Sequence, residues 1–96
     1  MPKYQLSPQA QHSLKQISRY TVENFGEGQK KKYLKMLRDK MGAAAKTPDK
    51  GQDRSDIKPS YFSVSAGKHT IYYRIHSTHI DIIDVLHQSM EPTRYI

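Results

Sequence analysis

The chain has 96 residues, with 16 Lys and Arg against 9 Asp and Glu, and carries a formal net charge of +7. This length suits one modest core, and we expect residues 1–96 to form a single domain. The absence of cysteine excludes disulfides, thiolate metal sites and cysteine nucleophiles. No apolar run is long enough for a membrane span or a signal peptide. We therefore expect a cytoplasmic protein that does not bind membranes and whose basic charge suits an acidic partner.

The first half of the chain predicts a short strand and two helices. Residues 3–7 alternate as in a strand, and Ser7 can cap the free amides of a helix that begins with proline. Apolar residues at helical spacing continue this helix over residues 8–24, and Gly26 supplies its end. A second helix over residues 27–46 follows at once. Because the link is so short, the two helices should form an antiparallel hairpin.

The second half of the chain predicts a polar loop at residues 47–59 and then three strands, at 61–66, 69–76 and 79–87. The last strand is apolar on both faces, which is typical of an interior strand. Strict alternation places its apolar residues in two sets: Ile80, Ile82 and Leu86 on one face, and Ile83 and Val85 on the other. The predicted fold is α+β, in the order β-α-α-β-β-β. A helical hairpin packs on one face of a small, mostly antiparallel sheet.

Basic residues are concentrated on the second predicted helix, where positions 30–46 hold seven Lys and Arg against one Asp. A cluster of this kind is typical of a patch that binds phosphates or an acidic protein, or of a solvated helix face. Both interpretations stay open. The apolar stripe of the same helix consists of Tyr33, Leu37, Met41 and Ala44.

Arg74 and His87 are the side chains to which chemistry could be attributed. Arg74 could clamp a phosphate through its guanidinium fork, or it could pair with Asp81 or Asp84 on the next strand. His87 could act as a general acid in RNA cleavage, or it could be a solvated residue at a strand end.

His76 and His79 flank a predicted turn, a spacing that could hold a metal, but no third ligand is evident nearby. We therefore expect neither a metal site nor a cofactor. Glycine-rich phosphate loops and Ser-His-Asp spacings are absent from the sequence, so nucleotide hydrolysis and acyl transfer have no support. The final Tyr95 and Ile96 are either packed beneath the sheet or offered to a partner.

The order and spacing of several segments resemble the ParE toxins of bacterial type II toxin–antitoxin modules, within the ParE/RelE superfamily. The matching residues are Leu6–Ala10, Ile17–Thr21 with Phe25 and Gly26, Tyr33, Leu34 and Leu37, Pro48 and Gly51 with Arg54 and Asp56–Lys58, His69–Arg74, and Val85–Arg94. The chain departs from the family pattern at Gln52 and at Ser60–Ser63.

The resemblance implies a RelE/ParE-like fold and a toxin that is not an enzyme. It implies inhibition of DNA gyrase, a block to replication, and neutralisation by a ParD-like antitoxin. RelE-like relatives instead cleave mRNA on the ribosome, and this activity is the alternative. Against it, Ser89 and Met90 stand where acid–base side chains would be needed.

The expected functional residues follow from position and resemblance. The candidates for gyrase inhibition are Arg74, His87, Arg94 and Tyr95. The candidates for antitoxin contact are Tyr33, Leu37, Met41, Lys31, Lys35 and Arg38. Direct nucleic-acid binding stays open, as does an inactive toxin that keeps only its antitoxin-binding role.

Overall fold

The structure, a computed structural model, describes residues 3–96 as two helices and a five-stranded sheet. The elements are β1 (Tyr4–Leu6), α1 (Pro8–Phe25), α2 (Glu27–Lys46), β2 (Gln52–Asp53), β3 (Tyr61–Ala66), β4 (His69–Ile75) and β5 (Ile80–His87). Short 3₁₀ turns lie at Pro48–Lys50 and Pro92–Arg94. The predicted α+β class and the order of the predicted elements are confirmed, and β2 is an addition to them.

The sheet has the strand order β1-β5-β4-β3-β2. β1 pairs with β5 in parallel, and the other three strand pairs are antiparallel. The parallel pair is possible because the helices and the other strands lie between β1 and β5 in the chain, as a crossover connection requires. The sheet is therefore mostly antiparallel, and β5 is an interior strand, as predicted.

The bounds of the helices follow from local sequence. Ser7 Oγ accepts a hydrogen bond from the backbone N–H of Ala10 at 3.0 Å, which satisfies a free amide at the start of α1. At its other end, Gly26 adopts φ +90° and donates its N–H to the carbonyl of Val22 at 3.0 Å. Glycine allows this backbone at little cost, so α2 can begin at the next residue. Within residues 3–96, no helix has the length and apolar character needed to cross a membrane.

The core lies between the helical hairpin and one face of the sheet. Its largest fully buried apolar side chains are Leu37, Met41, Ile71, Tyr73, Ile80 and Ile82. The hydroxyl of Tyr73 donates to the carbonyl of Pro48 at 2.6 Å, so even this polar atom has a partner. The apolar stripes predicted for α1 and α2 therefore point inward.

A β-bulge in β5 changes which of its residues share a face. The register shifts at Ile83, which has no cross-strand partner. This extra residue moves the alternation by one, so that Val85 joins Ile80 and Ile82 in the core beside the helices. Leu86 then lies on the opposite face. The prediction that Leu86 shares a face with Ile80 and Ile82 is wrong, because strict alternation cannot anticipate a bulge.

The predicted polar loop at residues 47–59 contains a 3₁₀ turn and strand β2. Gln52 and Asp53 pair with β3 at the edge of the sheet, and both side chains are exposed. Two exposed polar residues have no hydrophobic pattern, so hydrophobic periodicity cannot predict this strand.

Candidate functional site

A groove of about 710 Å³ opens between α1 and the end of the sheet where β4 begins and β5 ends. Its walls include Ile17, Tyr20 and Phe25 of α1, Tyr33 of α2, and Met90 after β5. Tyr20 and Phe25 are 62% and 63% exposed. Large apolar side chains grouped around an open groove are typical of a surface that binds another chain.

A hydrogen-bond network forms the rim of this groove. The backbone N–H of Lys68 donates to the hydroxyl of Tyr33 at 3.0 Å, and that hydroxyl lies 2.5 Å from Nδ1 of His69. One arrangement gives every donor an acceptor: the hydroxyl accepts from Lys68 and donates its own proton to Nδ1 of His69. Burial, and then the charge of neighbouring His87, lower the pKa of His69. The network therefore favours a neutral His69 beside the groove.

His87 lies at the same end of the sheet and is half-buried. Its Nδ1 accepts the backbone N–H of Ser89 at 3.2 Å and lies 2.8 Å from the hydroxyl of the same serine. Its ring stands edge-on to that of His69, with 5.5 Å between centroids. This candidate for gyrase inhibition therefore belongs to the rim of the groove.

Arg74 is exposed at the opposite end of β4. Asp81 is its cross-strand neighbour, yet the Asp81 carboxylate contacts His76 and His79, while Asp84 accepts a hydrogen bond from α1. Within residues 3–96, Arg74 makes no ion pair. The prediction that Arg74 pairs with Asp81 or Asp84 is wrong, because Asp81 contacts the two histidines and Asp84 is fully buried against α1, whereas Arg74 is exposed.

Arg74 and His87 are far apart on the sheet. His87 pairs with His69, which lies five residues before Arg74 on β4, so about 17 Å of strand separates the two positions. The two side chains also point to opposite faces, since His69 contacts α2 and the alternation turns Arg74 away from it. These two residues cannot act on the same bond.

The tail after β5 exposes the other two candidates. Arg94 is exposed and Tyr95 is 51% exposed, whereas Pro92 is buried. The N–H of Tyr95 donates to the carbonyl of Pro92 at 3.1 Å, so a short turn holds the tail in shape. Of the two readings for the chain end, exposure of Tyr95 to a partner agrees with this geometry.

The antitoxin-contact candidates on α2 fall into two groups. Lys31, Lys35 and Arg38 are exposed on the outer surface of the helix. Leu37 and Met41 are 0% exposed and belong to the core of the chain itself. Their prediction as contact residues is corrected here, because a partner that binds the folded surface cannot reach them. Tyr33 is half-buried at the groove.

The turn between β4 and β5 brings two histidines together with an aspartate. His76 Nε2 lies 2.6 Å from Asp81 Oδ2, and His79 Nε2 lies 3.1 Å from Asp81 Oδ1. Asp81 therefore supplies the third side chain that seemed to be missing beside the two histidines. The sequence signal for this cluster is the spacing His-x-x-His-x-Asp over residues 76–81. The tight turn reverses the chain, so that Asp81 on β5 comes into contact with both histidines.

Comparisons with known proteins agree with this fold. The family model described as "ParE toxin of type II toxin-antitoxin system, parDE" matches residues 4–92. The chain is 39% identical over 93 residues to Toxin ParE1 of Mycobacterium tuberculosis strain H37Rv, covering 96% of this chain and 95% of that protein. It is 30% identical over 96 residues to Toxin ParE1 of Caulobacter vibrioides, covering 100% of this chain and 99% of that protein.

A solved structure is similar in fold. A chain from the chromosomal ParDE TA system of P. aeruginosa superposes with a TM-score of 0.77 at 15% identity, covering 91% of this chain and 96% of that one. Together, the match to the family model over residues 4–92 and the identity to named relatives show that this chain belongs to the ParE toxin family of type II toxin–antitoxin systems.

Proposed function

We propose that this chain inhibits DNA gyrase in the bacterial cytoplasm, that it thereby blocks replication, and that a ParD-like antitoxin neutralises it. Membership of the ParE family supports the role of toxin. The observation that favours an inhibitor over a ribonuclease is the separation of Arg74 from His87, by about 17 Å and onto opposite faces. General acid–base catalysis requires its groups within hydrogen-bond reach of one substrate.

The proposed inhibitory residues are Arg74 on β4 and the exposed tail residues Arg94 and Tyr95. His87, the fourth candidate, is left out because it lines the groove at the other end of the sheet. Arg74 has no ion pair within residues 3–96, so its fork of donors is available to a carboxylate or phosphate of a target. Tyr95 adds an exposed aromatic ring. Exposed arginine and tyrosine are the residue types that most often anchor protein interfaces.

The proposed antitoxin site is the groove lined by Tyr20, Phe25 and Tyr33. An amphipathic segment could place its apolar face between α1 and the sheet, as helices do in the grooves that recognise them. The basic outer surface of α2, with Lys31, Lys35 and Arg38 exposed, would favour an acidic partner nearby.

A supercoiling assay with purified gyrase tests the proposed function. Relaxed plasmid, ATP and gyrase are incubated with the isolated chain, and the DNA is examined after protease and detergent. We expect loss of supercoiling together with accumulation of linear DNA, because an inhibitor that traps the cleavage complex leaves broken DNA. An Arg74→Ala variant should show less of both effects.

Unaffected gyrase would contradict the proposal. Cleavage of mRNA in a ribosome-dependent translation assay would then indicate the RelE-type ribonuclease. If neither activity is found while the chain still binds its antitoxin, an inactive toxin is indicated. A steep salt dependence of duplex DNA binding by the isolated chain would instead indicate a direct nucleic-acid contact through α2.

A further inference from the structure

The turn between β4 and β5 gathers two imidazoles around one carboxylate. The nitrogen and oxygen atoms that His76, His79 and Asp81 could offer to a metal all lie within 4.8 Å of one another. The two rings are stacked, with centroids 4.7 Å apart and an interplanar angle of 15°. All three side chains are partly buried, so their donor atoms are held close to the body of the protein and are not spread over its surface.

The backbone of the turn holds these groups in place. The N–H of His76 donates to the carbonyl of His79 at 2.9 Å, and Asp81 is the second residue of β5. All three donors thus come from a six-residue segment that is already folded, so ordering it for a ligand costs little loop entropy. Arg74, the cross-strand neighbour of Asp81, does not compete for the carboxylate.

We propose that His76, His79 and Asp81 form a binding site for one divalent transition-metal ion of the zinc type. Two imidazoles with one carboxylate suit Zn²⁺ and its first-row neighbours, whereas Mg²⁺ and Ca²⁺ prefer oxygen ligands alone. Bonds of about 2.0–2.2 Å from one zinc ion place its ligand atoms within roughly 3–4 Å of one another. The contacts of 2.6 and 3.1 Å already bring the carboxylate this near to both rings, so small rotations would admit the ion.

The surroundings of His79 suit a metal ligand. Its Nδ1 lies 3.0 Å from the hydroxyl of Thr78. With an ion bound, Nδ1 would carry the proton and donate it to this hydroxyl, and Nε2, which otherwise contacts Asp81, would present its lone pair to the ion. A metal-binding histidine usually has such a partner on its other nitrogen, which fixes both tautomer and ring orientation. Three protein ligands leave at least one position for water or for a group of a bound partner. The inference does not depend on the proposed function.

Calorimetric titration of the tag-free full chain with Zn²⁺, after removal of metal by a chelator, tests the site. We expect one equivalent to bind, and Co²⁺ to give the visible absorption of a nitrogen- and oxygen-ligated ion. His79→Gln and Asp81→Asn should each weaken Zn²⁺ binding by more than about 100-fold, and Thr78→Val by about 10-fold, as loss of an outer partner does. The matched control is His12→Gln, since His12 is exposed on α1 and should not matter.

The proposal would be overturned if Zn²⁺ bound only at millimolar concentration or at several equivalents. It would also be overturned if the affinity for Zn²⁺ were unchanged in His79→Gln. Equal loss in His12→Gln would do the same, because it would indicate scattered surface histidines. If a ligand variant does not fold, as judged by circular dichroism, NMR of the unaltered chain decides. Zn²⁺ should shift the ring signals of His76 and His79 before those of His69 and His87, and the reverse order would contradict the site.

Discussion

At the scale of single residues, Asp84 has an unusual environment. Its side chain is 0% exposed, and Oδ1 accepts hydrogen bonds from Ser13 Oγ at 2.5 Å and from the backbone N–H of Val85 at 2.7 Å. Oδ2 is buried without a partner among the described residues. A buried carboxylate with so few donors depends strongly on each of them. The hydrogen bond to Ser13 also ties α1 to β5.

Ser13→Ala should therefore destabilise the chain by about 1–3 kcal/mol, the usual cost of leaving a buried acceptor without its hydrogen-bond donor. Urea unfolding followed by circular dichroism measures this change. Ser18→Ala is the matched control, because it lies on the same helix, gains the same helix propensity and has no side-chain hydrogen bond in the described part of the chain. Equal effects of the two substitutions would contradict a special role for Ser13.

The free energy of unfolding should also depend on pH through His69. Burial and neighbouring His87 lower the pKa of His69 in the folded state, so the unfolded chain takes up this proton first as pH falls. The stability gained from the neutral ring is present above the unfolded pKa of about 6.5 and is lost as pH falls through the folded pKa. The free energy of unfolding should thus decrease as the pH falls from about 7.5 to about 5.5.

The variant His69→Gln should lose less stability over the same pH interval, although its stability at neutral pH also reflects the lost hydrogen bond from Tyr33. The slope with pH is therefore the quantity to compare, from urea titrations at each pH. His12→Gln should leave the slope unchanged, because His12 is exposed. A slope in His69→Gln as steep as in the unaltered chain would show that other groups carry the dependence.

At the scale of elements, the loop before β3 is held to the core by one close approach. A Cβ at Gly51 would overlap the Tyr73 hydroxyl and would lie 3.1 Å from the carbonyl of Ser63. Tyr73 needs this position for its hydrogen bond to Pro48. Burial also raises the pKa of Tyr73, which keeps its hydroxyl protonated as a donor. The loop thus depends on a glycine for packing, not for a left-handed backbone.

Gly51→Ala should destabilise the chain by about 1–3 kcal/mol through overpacking. The double variant Gly51→Ala with Tyr73→Phe should lose less stability than the sum of the losses in the two single variants, because the overlapping hydroxyl is gone. Gly42→Ala provides a control of opposite sign: nothing lies within 4 Å of its Cβ position in the interior of α2, so alanine should stabilise the helix by about 0.5–1 kcal/mol. Thermal and urea unfolding of each variant and of the unaltered chain measure these differences.

The groove between α1 and the sheet exposes Phe25, a ring that should matter more for binding a partner than for folding. Phe25→Ala should change the free energy of unfolding by no more than about 0.5 kcal/mol, because the ring is mostly exposed. If the groove receives the antitoxin, the same substitution should weaken binding of a purified ParD-like antitoxin by about 2 kcal/mol or more, as truncation of an interface anchor does. Calorimetry or biolayer interferometry can measure the affinity.

Tyr95→Ala is the matched control for the groove, since it also removes an exposed aromatic ring but lies on the tail. It should leave antitoxin affinity unchanged. An antitoxin that binds the Phe25→Ala variant normally must contact another surface, such as the exposed basic side chains of α2.

At the scale of the whole molecule, apolar and basic surfaces lie in different places. The groove lies between α1 and the sheet, while Lys31, Lys35 and Arg38 are exposed on α2. Arg74 lies at the opposite end of β4 from the groove. This separation would allow one partner to occupy the groove while Arg74, part of the proposed inhibitory set, stays accessible to a second partner.

Deletion of residues 93–96 tests whether the tail belongs to the gyrase surface. The deletion keeps buried Pro92 and removes mostly exposed side chains, so the fold should be retained. The concentration needed to inhibit supercoiling should rise at least about tenfold, equivalent to about 1.4 kcal/mol of binding. Antitoxin affinity serves as the internal control for folding and should stay unchanged. Full potency of the shortened chain would remove Arg94 and Tyr95 from the proposed surface.

Much of the fold could be predicted because its signals are local. The cap at Ser7, the glycine at Gly26 and the apolar periodicities determine both helices and four of the strands. β2 could not be predicted, since its two exposed residues have no hydrophobic pattern. The bulge at Ile83 has no local signal either, because β5 carries apolar residues on both of its faces and alternation alone cannot locate an extra residue. Hydrophobic periodicity therefore predicts a helix or strand only where the burial of its side chains follows a regular period.

The family, the two-layer architecture and the basic character of α2 could be inferred from composition, spacing and segment order, which are properties of the chain alone. The folded chain was needed to show that Arg74 has no carboxylate partner among the described residues, that Leu37 and Met41 have no exposed surface, and that His76, His79 and Asp81 meet. These facts depend on side-chain direction and on contacts between strands. Such contacts form only when residues distant in sequence compete for the same partners in a packed fold.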